Sequence, residues 1–123
     1  MLNDPHCIFC KIIKGDIPAK KYYEDDNFLA IFDVQPIAPN HLLVFSKNHY
    51  TSIKAMPEEE WLQLHAKARE LAEKLSAELH ADGYNYMIYN GEAAESGVPH
   101  RPHIHIIPRY FKDGLHLDPR TNH

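Results

Sequence analysis

Apolar residues recur along the chain at two different periods, and each period predicts a different kind of element. Between Glu58 and Gly83 the apolar positions are three or four residues apart, which predicts one long helix with a single buried face. The residues of that face are Leu64, Ala68, Leu71, Leu75 and Leu79. Pro57 is suited to the first turn of this helix, and the negative charges of Glu58–Glu60 stabilise the positive end of the helix dipole. Gly83 is expected to end the helix.

Short runs of aromatic and aliphatic residues before and after this helix are typical of strands. They lie at Tyr22–Tyr23, Phe28–Val34, His41–Phe45, Tyr84–Asn90 and His103–Ile107. Glu24–Asn27 predicts a hairpin turn, Gln35–Asn40 a loop, and the segment from Cys7 to Pro18 a loop with a short helical turn. Strands, one long helix and further strands, in that order, predict an α+β fold with an antiparallel sheet.

Composition narrows the class of protein. The chain has 123 residues, 44% hydrophobic and 24% charged, which is ordinary for one soluble globular domain. Its net charge of −4 argues against nucleic-acid binding through phosphate neutralisation. No apolar run approaches the ~20 residues that span a bilayer, so no membrane association is expected. The first ten residues lack a signal-peptide layout and two cysteines are too few for a disulfide framework, so we expect a cytoplasmic protein.

Candidate chemistry is concentrated in the segment HRPHIHIIPRY, His100–Tyr110. Side chains of a strand alternate between its faces, so His103 and His105 are expected to project together while Ile104 and Ile106 face the core. Three interpretations are open for the histidines. They can be metal ligands, they can be a nucleophile with a phosphate-binding neighbour, or they can be a solvated pair on an exposed strand.

The loop before this segment favours the second interpretation. Asn90, Ser96 and the backbone N–H groups of Gly97 and Val98 are candidate donors to a phosphate. Small residues there allow the main chain to approach an anion closely.

Two longer stretches carry a resemblance to a known family. CIFCKIIKGDIPAKKYYEDDNFLAIFDVQPIAPNHLLVFSKNHY together with NGEAAESGVPHRPHIHIIPR resembles the histidine triad (HIT) family of nucleotide hydrolases and transferases, over about Cys7–Arg109. The resemblance implies the HIT fold, with about five antiparallel strands, one long helix, a short N-terminal helix and a homodimer. It also implies a single domain over residues 1–123, with a core at about 7–110 and a C-terminal tail at 111–123.

The implied activity is cleavage at the α-phosphate of a purine nucleotide. Nucleoside phosphoramidates and dinucleoside polyphosphates are substrates across the family, and a nucleotidyl-histidine intermediate is then hydrolysed. By resemblance His103 is the nucleophile, His105 contacts the phosphate, His41 completes the site and Asp33 holds the ribose hydroxyls. The implied apolar walls of the pocket are Ile8, Phe9, Ile12, Phe32 and Val34, and the phosphate loop contains Asn90, Gly97 and Val98.

The chain also departs from the family pattern. Counting back from HIIPR, the first triad histidine is replaced by Arg101, whereas counting forward from the loop it is His100. The loop reads ESGV, Glu95–Val98, where members usually carry glycine, glutamine and then serine or threonine. These departures leave a catalytically weak, nucleotide-binding interaction protein as the main alternative. A metal-dependent hydrolase with His100, His103 and His105 as ligands is a second alternative.

The pair Cys7-x-x-Cys10 supplies half of a tetrahedral zinc site. In bacterial-type HIT proteins with the same pair, zinc is completed by two histidines, which match His49 and His100 here. A closed site with four protein ligands leaves no position for a reactive water, so this zinc is expected to be structural and the chemistry to need no cofactor.

Overall fold

The computed structural model describes residues 3–99 and 101–121 and contains two helices and five strands. In chain order the elements are α1 (Ile8–Lys14), β1 (Lys21–Glu24), β2 (Phe28–Phe32), β3 (Leu42–Ser46), α2 (Glu58–Leu79), β4 (Gly83–Ile88) and β5 (Ile104–Arg109). Single 3₁₀ turns follow β4 and β5. In the described ranges neither helix has the length and apolar character needed to span a membrane.

The five strands form one open sheet in the order β1-β2-β3-β5-β4, with every neighbouring pair antiparallel. The α+β prediction is therefore confirmed. β3 and β5 lie inside the sheet and are buried along nearly their whole length. Because β5 is bonded on both edges, His105 is held opposite Leu43 of β3 and Met87 of β4.

Each face of the sheet packs against its own apolar cluster. The predicted face of α2 lies against Ile104 and Ile106 on one side of the sheet. On the other side, α1 packs on β2 and β3, with Phe9 stacked on Phe45 at 4.3 Å between ring centroids. The expected alternation along β5 is thus confirmed, and His103 and His105 belong to the α1 side.

Several predicted boundaries are wrong: β4 ends at Ile88 and not Asn90, and β5 extends to Arg109 and not Ile107. Two others matter for the helix or the site. The helix α2 ends at Leu79, where His80 adopts a left-handed conformation (φ 53) and its N–H bonds the carbonyl of Ala77. Gly83 instead begins β4, opposite Arg109. A non-glycine residue pays a modest cost in that conformation, so the glycine was a misleading stop signal. The strand β2 ends at Phe32 rather than Val34, and Val34 is 85% exposed.

Candidate functional site

A cavity of about 310 Å³ opens between α1, the end of β2, and the start of β5. Ten of the predicted site residues line it: Ile8, Phe9, Ile12, Phe32, Asp33, Val34, Gly97, Val98, His103 and His105. A wider cleft of about 660 Å³ lies between β4 and the segment 109–118, and none of the predicted site residues lines it. The smaller cavity is therefore the candidate site, because its walls combine apolar side chains with two imidazoles and a carboxylate.

His103 is held in one orientation and one tautomer. Its Nδ1 lies 2.8 Å from the carbonyl oxygen of Arg101. A carbonyl oxygen only accepts hydrogen bonds, so Nδ1 carries the proton and Nε2 of the neutral ring keeps its lone pair. Burial is the main cause that lowers the pKa of His103 below its ordinary value. The ring is therefore neutral at pH 7, which is the state that a nucleophile requires.

His41 and His105 form a short relay behind His103. The N–H of Ile37 donates to His41 Nδ1 at 3.2 Å, so the proton of neutral His41 is on Nε2. That nitrogen lies 2.9 Å from His105 Nδ1 and donates to it, which leaves the proton of His105 on Nε2. Among the described residues, His105 Nε2 is buried without a hydrogen-bond partner. The relay therefore ends in an unused N–H donor on a residue that lines the cavity.

Burial keeps this relay uncharged. It is the largest cause that lowers the pKa of His105 to about 4, and the neighbouring His103 and His41 lower it further. Burial also lowers the pKa of His41, although the carboxylate of Asp33 opposes that shift. All three imidazoles are thus neutral near pH 7, so the site offers one lone pair and one N–H donor.

Asp33 fixes the turn that follows β2 and also lines the cavity. One carboxylate oxygen accepts the N–H of Gln35 at 3.0 Å and fixes the turn. The other lies 3.7 Å from His41 Nδ1. The side chain also lines the cavity, where carboxylate oxygens can accept hydrogen bonds from a ligand's hydroxyl groups.

The predicted phosphate loop is only partly at the cavity. Gly97 and Val98 line it, whereas Asn90 does not, because its side-chain oxygen accepts the N–H of Ile53 at 3.1 Å. Ser96 is buried and its hydroxyl has no hydrogen-bond partner among the described residues. Glu95 is exposed and left-handed (φ 67), and it is not among the lining residues, so its charge does not oppose an anion in the cavity.

The predicted metal ligands gather beside α1. The sulfur atoms of Cys7 and Cys10 and a ring nitrogen of His49 all lie within 4.8 Å of one another, so the three residues can bind a metal ion. The fourth predicted ligand, His100, lies outside the described residues.

Arg101 is the residue in this region whose role was missed by the sequence analysis. It is 1% exposed, and its guanidinium donates to Cys10 Sγ at 2.9 Å and to His49 Nδ1 at 3.4 Å. The available signal was the strand alternation, since Arg101 is in phase with His103 and His105 and therefore points to the same side of the sheet.

Comparison with known proteins agrees with this geometry. The HIT domain family matches residues 14–112. A HIT-like protein of Methanocaldococcus jannaschii is 45% identical over 108 residues, which cover 88% of this chain and 82% of that protein. The adenosine 5′-monophosphoramidase of Saccharomyces cerevisiae is 38% identical over 113 residues, or 91% of this chain and 68% of the yeast protein.

A solved structure shows the same fold and carries a metal. The zinc-bound histidine triad protein of Mycobacterium smegmatis superimposes with a TM-score of 0.84 at 39% identity, covering 93% of this chain and 84% of that one. The order of the strands, the positions of His103 and His105 and these similarities lead to one conclusion: the chain belongs to the HIT family.

Proposed function

We propose that this protein cleaves purine nucleotides at the α-phosphorus through a covalent nucleotidyl-His103 intermediate. The observation that carries the proposal is the state of His103: a buried, neutral imidazole, with its Nδ1 proton bound to the carbonyl of Arg101, in the wall of a 310 Å³ cavity. Small-molecule sites have volumes of roughly 300–1,000 Å³, so a nucleoside monophosphate is an occupant of suitable size.

The first step forms a bond between His103 Nε2 and the α-phosphorus. The bond from phosphorus to the leaving nitrogen or oxygen breaks, and an amine leaving group takes its proton from solvent. The N–H of His105 donates to a non-bridging phosphoryl oxygen, where negative charge develops. Because the phosphorylated ring of His103 is cationic, its Nδ1 proton binds the carbonyl of Arg101 more strongly in the intermediate than in the free protein.

The second step returns the free protein. Water attacks the phosphorus and releases a proton to solvent, the bond to His103 Nε2 breaks with its electron pair returning to that nitrogen, and a nucleoside monophosphate leaves with the oxygen of the water. No step passes through a metal ion. The ribose hydroxyls are bound by Asp33, and the base lies against the apolar wall formed by Ile8, Phe9 and Ile12.

Nucleoside phosphoramidates are the first substrate class to test, with dinucleoside polyphosphates second. The yeast relative is named for activity on an adenosine phosphoramidate, which supports this order. A cytoplasmic location and a homodimer stay predictions from the sequence.

The experiment is to trap the intermediate. The protein is mixed with adenosine 5′-phosphoramidate, quenched in base because phosphorus–nitrogen bonds to histidine are acid-labile, and analysed by intact-protein mass spectrometry. The expected result is a gain of one adenylyl group that is absent in His103→Ala. His80→Asn is the matched control, since His80 is an exposed histidine in a left-handed position that asparagine tolerates.

Two outcomes would contradict the proposal. An adenylyl group on the His103→Ala protein would place the chemistry elsewhere. Tight adenosine monophosphate binding without turnover or adduct would favour the nucleotide-binding interaction protein, an alternative motivated by the altered ESGV loop and the displaced first histidine.

A further inference from the structure

The Cys7–Cys10–His49 cluster contains a cation that the protein itself supplies. We propose that the guanidinium of Arg101 takes the place of the metal ion in this cluster, so that the folded chain holds the three residues together without zinc. The inference concerns the stability and metal content of the fold, and it does not depend on the proposed reaction.

The first support is the set of atoms that the guanidinium contacts. Arg101 Nη1 lies 2.9 Å from Cys10 Sγ, 3.9 Å from Cys7 Sγ and 3.4 Å from His49 Nδ1. These are the same three donor groups that would bind a metal ion. A guanidinium has no acceptor, so His49 Nδ1 must accept with its single lone pair. That lone pair is then not available to coordinate zinc.

The second support is that Arg101 is anchored on atoms outside the cluster. Its Nη2 donates to the backbone carbonyl of Ser46 on β3, and the guanidinium lies 5.3 Å from the centroid of the Phe45 ring. The side chain is 1% exposed. To make room for a metal ion it would have to leave these contacts, and a buried charge that loses its partners is costly.

The third support is electrostatic. An arginine side chain keeps its positive charge at any pH relevant to proteins. A divalent ion beside Cys10 Sγ would therefore lie within a few ångströms of a fixed positive charge, at low effective dielectric, where repulsion is large. A histidine at position 101 would instead be a neutral ligand in the same phase of the strand. Compared with histidine, arginine at position 101 therefore offers no ligand atom and adds a fixed positive charge.

The test measures metal content in matched variants. Wild-type protein and Arg101→His are purified without chelator, and zinc is measured by inductively coupled plasma mass spectrometry. Wild type is expected to contain far less than one zinc per chain, with a melting temperature unchanged by EDTA. Arg101→His is expected to contain about one zinc per chain, as a closed four-ligand site does. EDTA should then lower its melting temperature.

Two further variants keep the proposal falsifiable. Arg101→Gln removes the charge but keeps much of the length, and it is expected to take up added zinc more readily than wild type in a competition with a chromogenic chelator. His100→Ala tests the histidine that the sequence offers as the fourth ligand, and in the arginine-closed cluster it changes nothing in metal content. A wild-type protein with about one tightly held zinc would overturn the proposal, whether or not His100→Ala removes that zinc. Failure of both Arg101→His and Arg101→Gln to bind zinc more tightly than wild type would also overturn it.

Discussion

The segment 101–105 supplies Arg101 to one buried polar cluster and His105 to another, and these two side chains differ in how far their hydrogen-bonding nitrogens are used. On the cysteine side, the guanidinium of Arg101 contacts two sulfurs, an imidazole and a backbone carbonyl. On the histidine side, the relay from Ile37 through His41 ends at His105 Nε2, which has no partner among the described residues.

From this difference we infer a structural role for Arg101 and a ligand-binding role for His105. A buried polar group without a partner costs free energy, so its presence calls for an explanation such as a ligand that completes it. His105 has that feature and lines a cavity. Arg101 has both of its Nη atoms bound within the protein and lies outside the residues that line that cavity. We therefore expect mutations in the histidine cluster to lower kcat, and mutations of Arg101 to lower the free energy of unfolding.

The largest expected effect is that of His103→Ala on turnover. Because His103 is the proposed nucleophile, its removal should lower kcat at least about a thousandfold. Folding stability and the affinity for adenosine monophosphate should change little. Steady-state kinetics, urea unfolding and calorimetric binding measure the three quantities.

Arg101→Met is expected to lower the folding stability, in contrast to His103→Ala, which is expected to lower kcat. It leaves the carbonyl of Ser46 without its buried donor, which should lower the free energy of unfolding by about 1–3 kcal/mol. Its loss of kcat should be far smaller than that of His103→Ala, since the carbonyl that holds His103 belongs to the main chain. Equal rate losses in the two variants would mean that the two clusters are not separate in function.

An intermediate effect is expected from His41→Phe, which removes the donor to His105 Nδ1. His105 is then free to carry its proton on either nitrogen, so its donor to the phosphoryl oxygen is no longer fixed. One such donor contributes about 10²–10³ in kcat elsewhere, and we expect a loss near the lower limit because His105 itself remains. The measurement is kcat for His41→Phe beside His105→Ala. A larger loss in His41→Phe than in His105→Ala would rule out the proposed order of the relay.

The smallest effect is the response to mild acid. His103 and His105 have lowered pKa values, so they stay neutral in the folded protein below the ordinary imidazole pKa of about 6.5. The specificity constant should therefore be flat from pH 8 to about 6.5 and fall only in more acidic buffer.

Stability should follow the same direction. As the pH falls below about 6.5, the unfolded chain binds protons that these buried imidazoles do not, so the free energy of unfolding decreases. The decrease due to His105 levels off near its folded pKa of about 4. An activity profile with a midpoint above 6.5 would indicate a charged, solvated imidazole and contradict the buried relay.

The fold followed from the sequence where one residue pattern had one physical cause. The apolar face of α2 and the alternation along β5 are set by burial alone, and both are confirmed. Gly83 was misread because a glycine serves a turn or a strand start equally well, and His80 took the helix-ending conformation instead. Asn90 was placed at the phosphate loop by position, but its side chain is used to bond Ile53, which a linear pattern does not reveal.

The site was reached through the family resemblance and not through residue patterns. The resemblance implied one pocket for Ile8, Phe9 and Phe32, whereas local patterns could not, because their common cavity depends on the packing of α1 on β2. The position of the Arg101 guanidinium beside the cysteines was not predicted, because arginine is rarely buried and composition does not indicate which arginine will be.

The bond between His103 Nδ1 and the carbonyl of Arg101 has a consequence for how this position can vary. Every amino acid has a backbone carbonyl, so a substitution at residue 101 leaves the acceptor for His103 Nδ1 in place. A search that demands three histidines in the motif would discard such a chain, although the backbone contact that orients His103 requires no particular side chain at position 101.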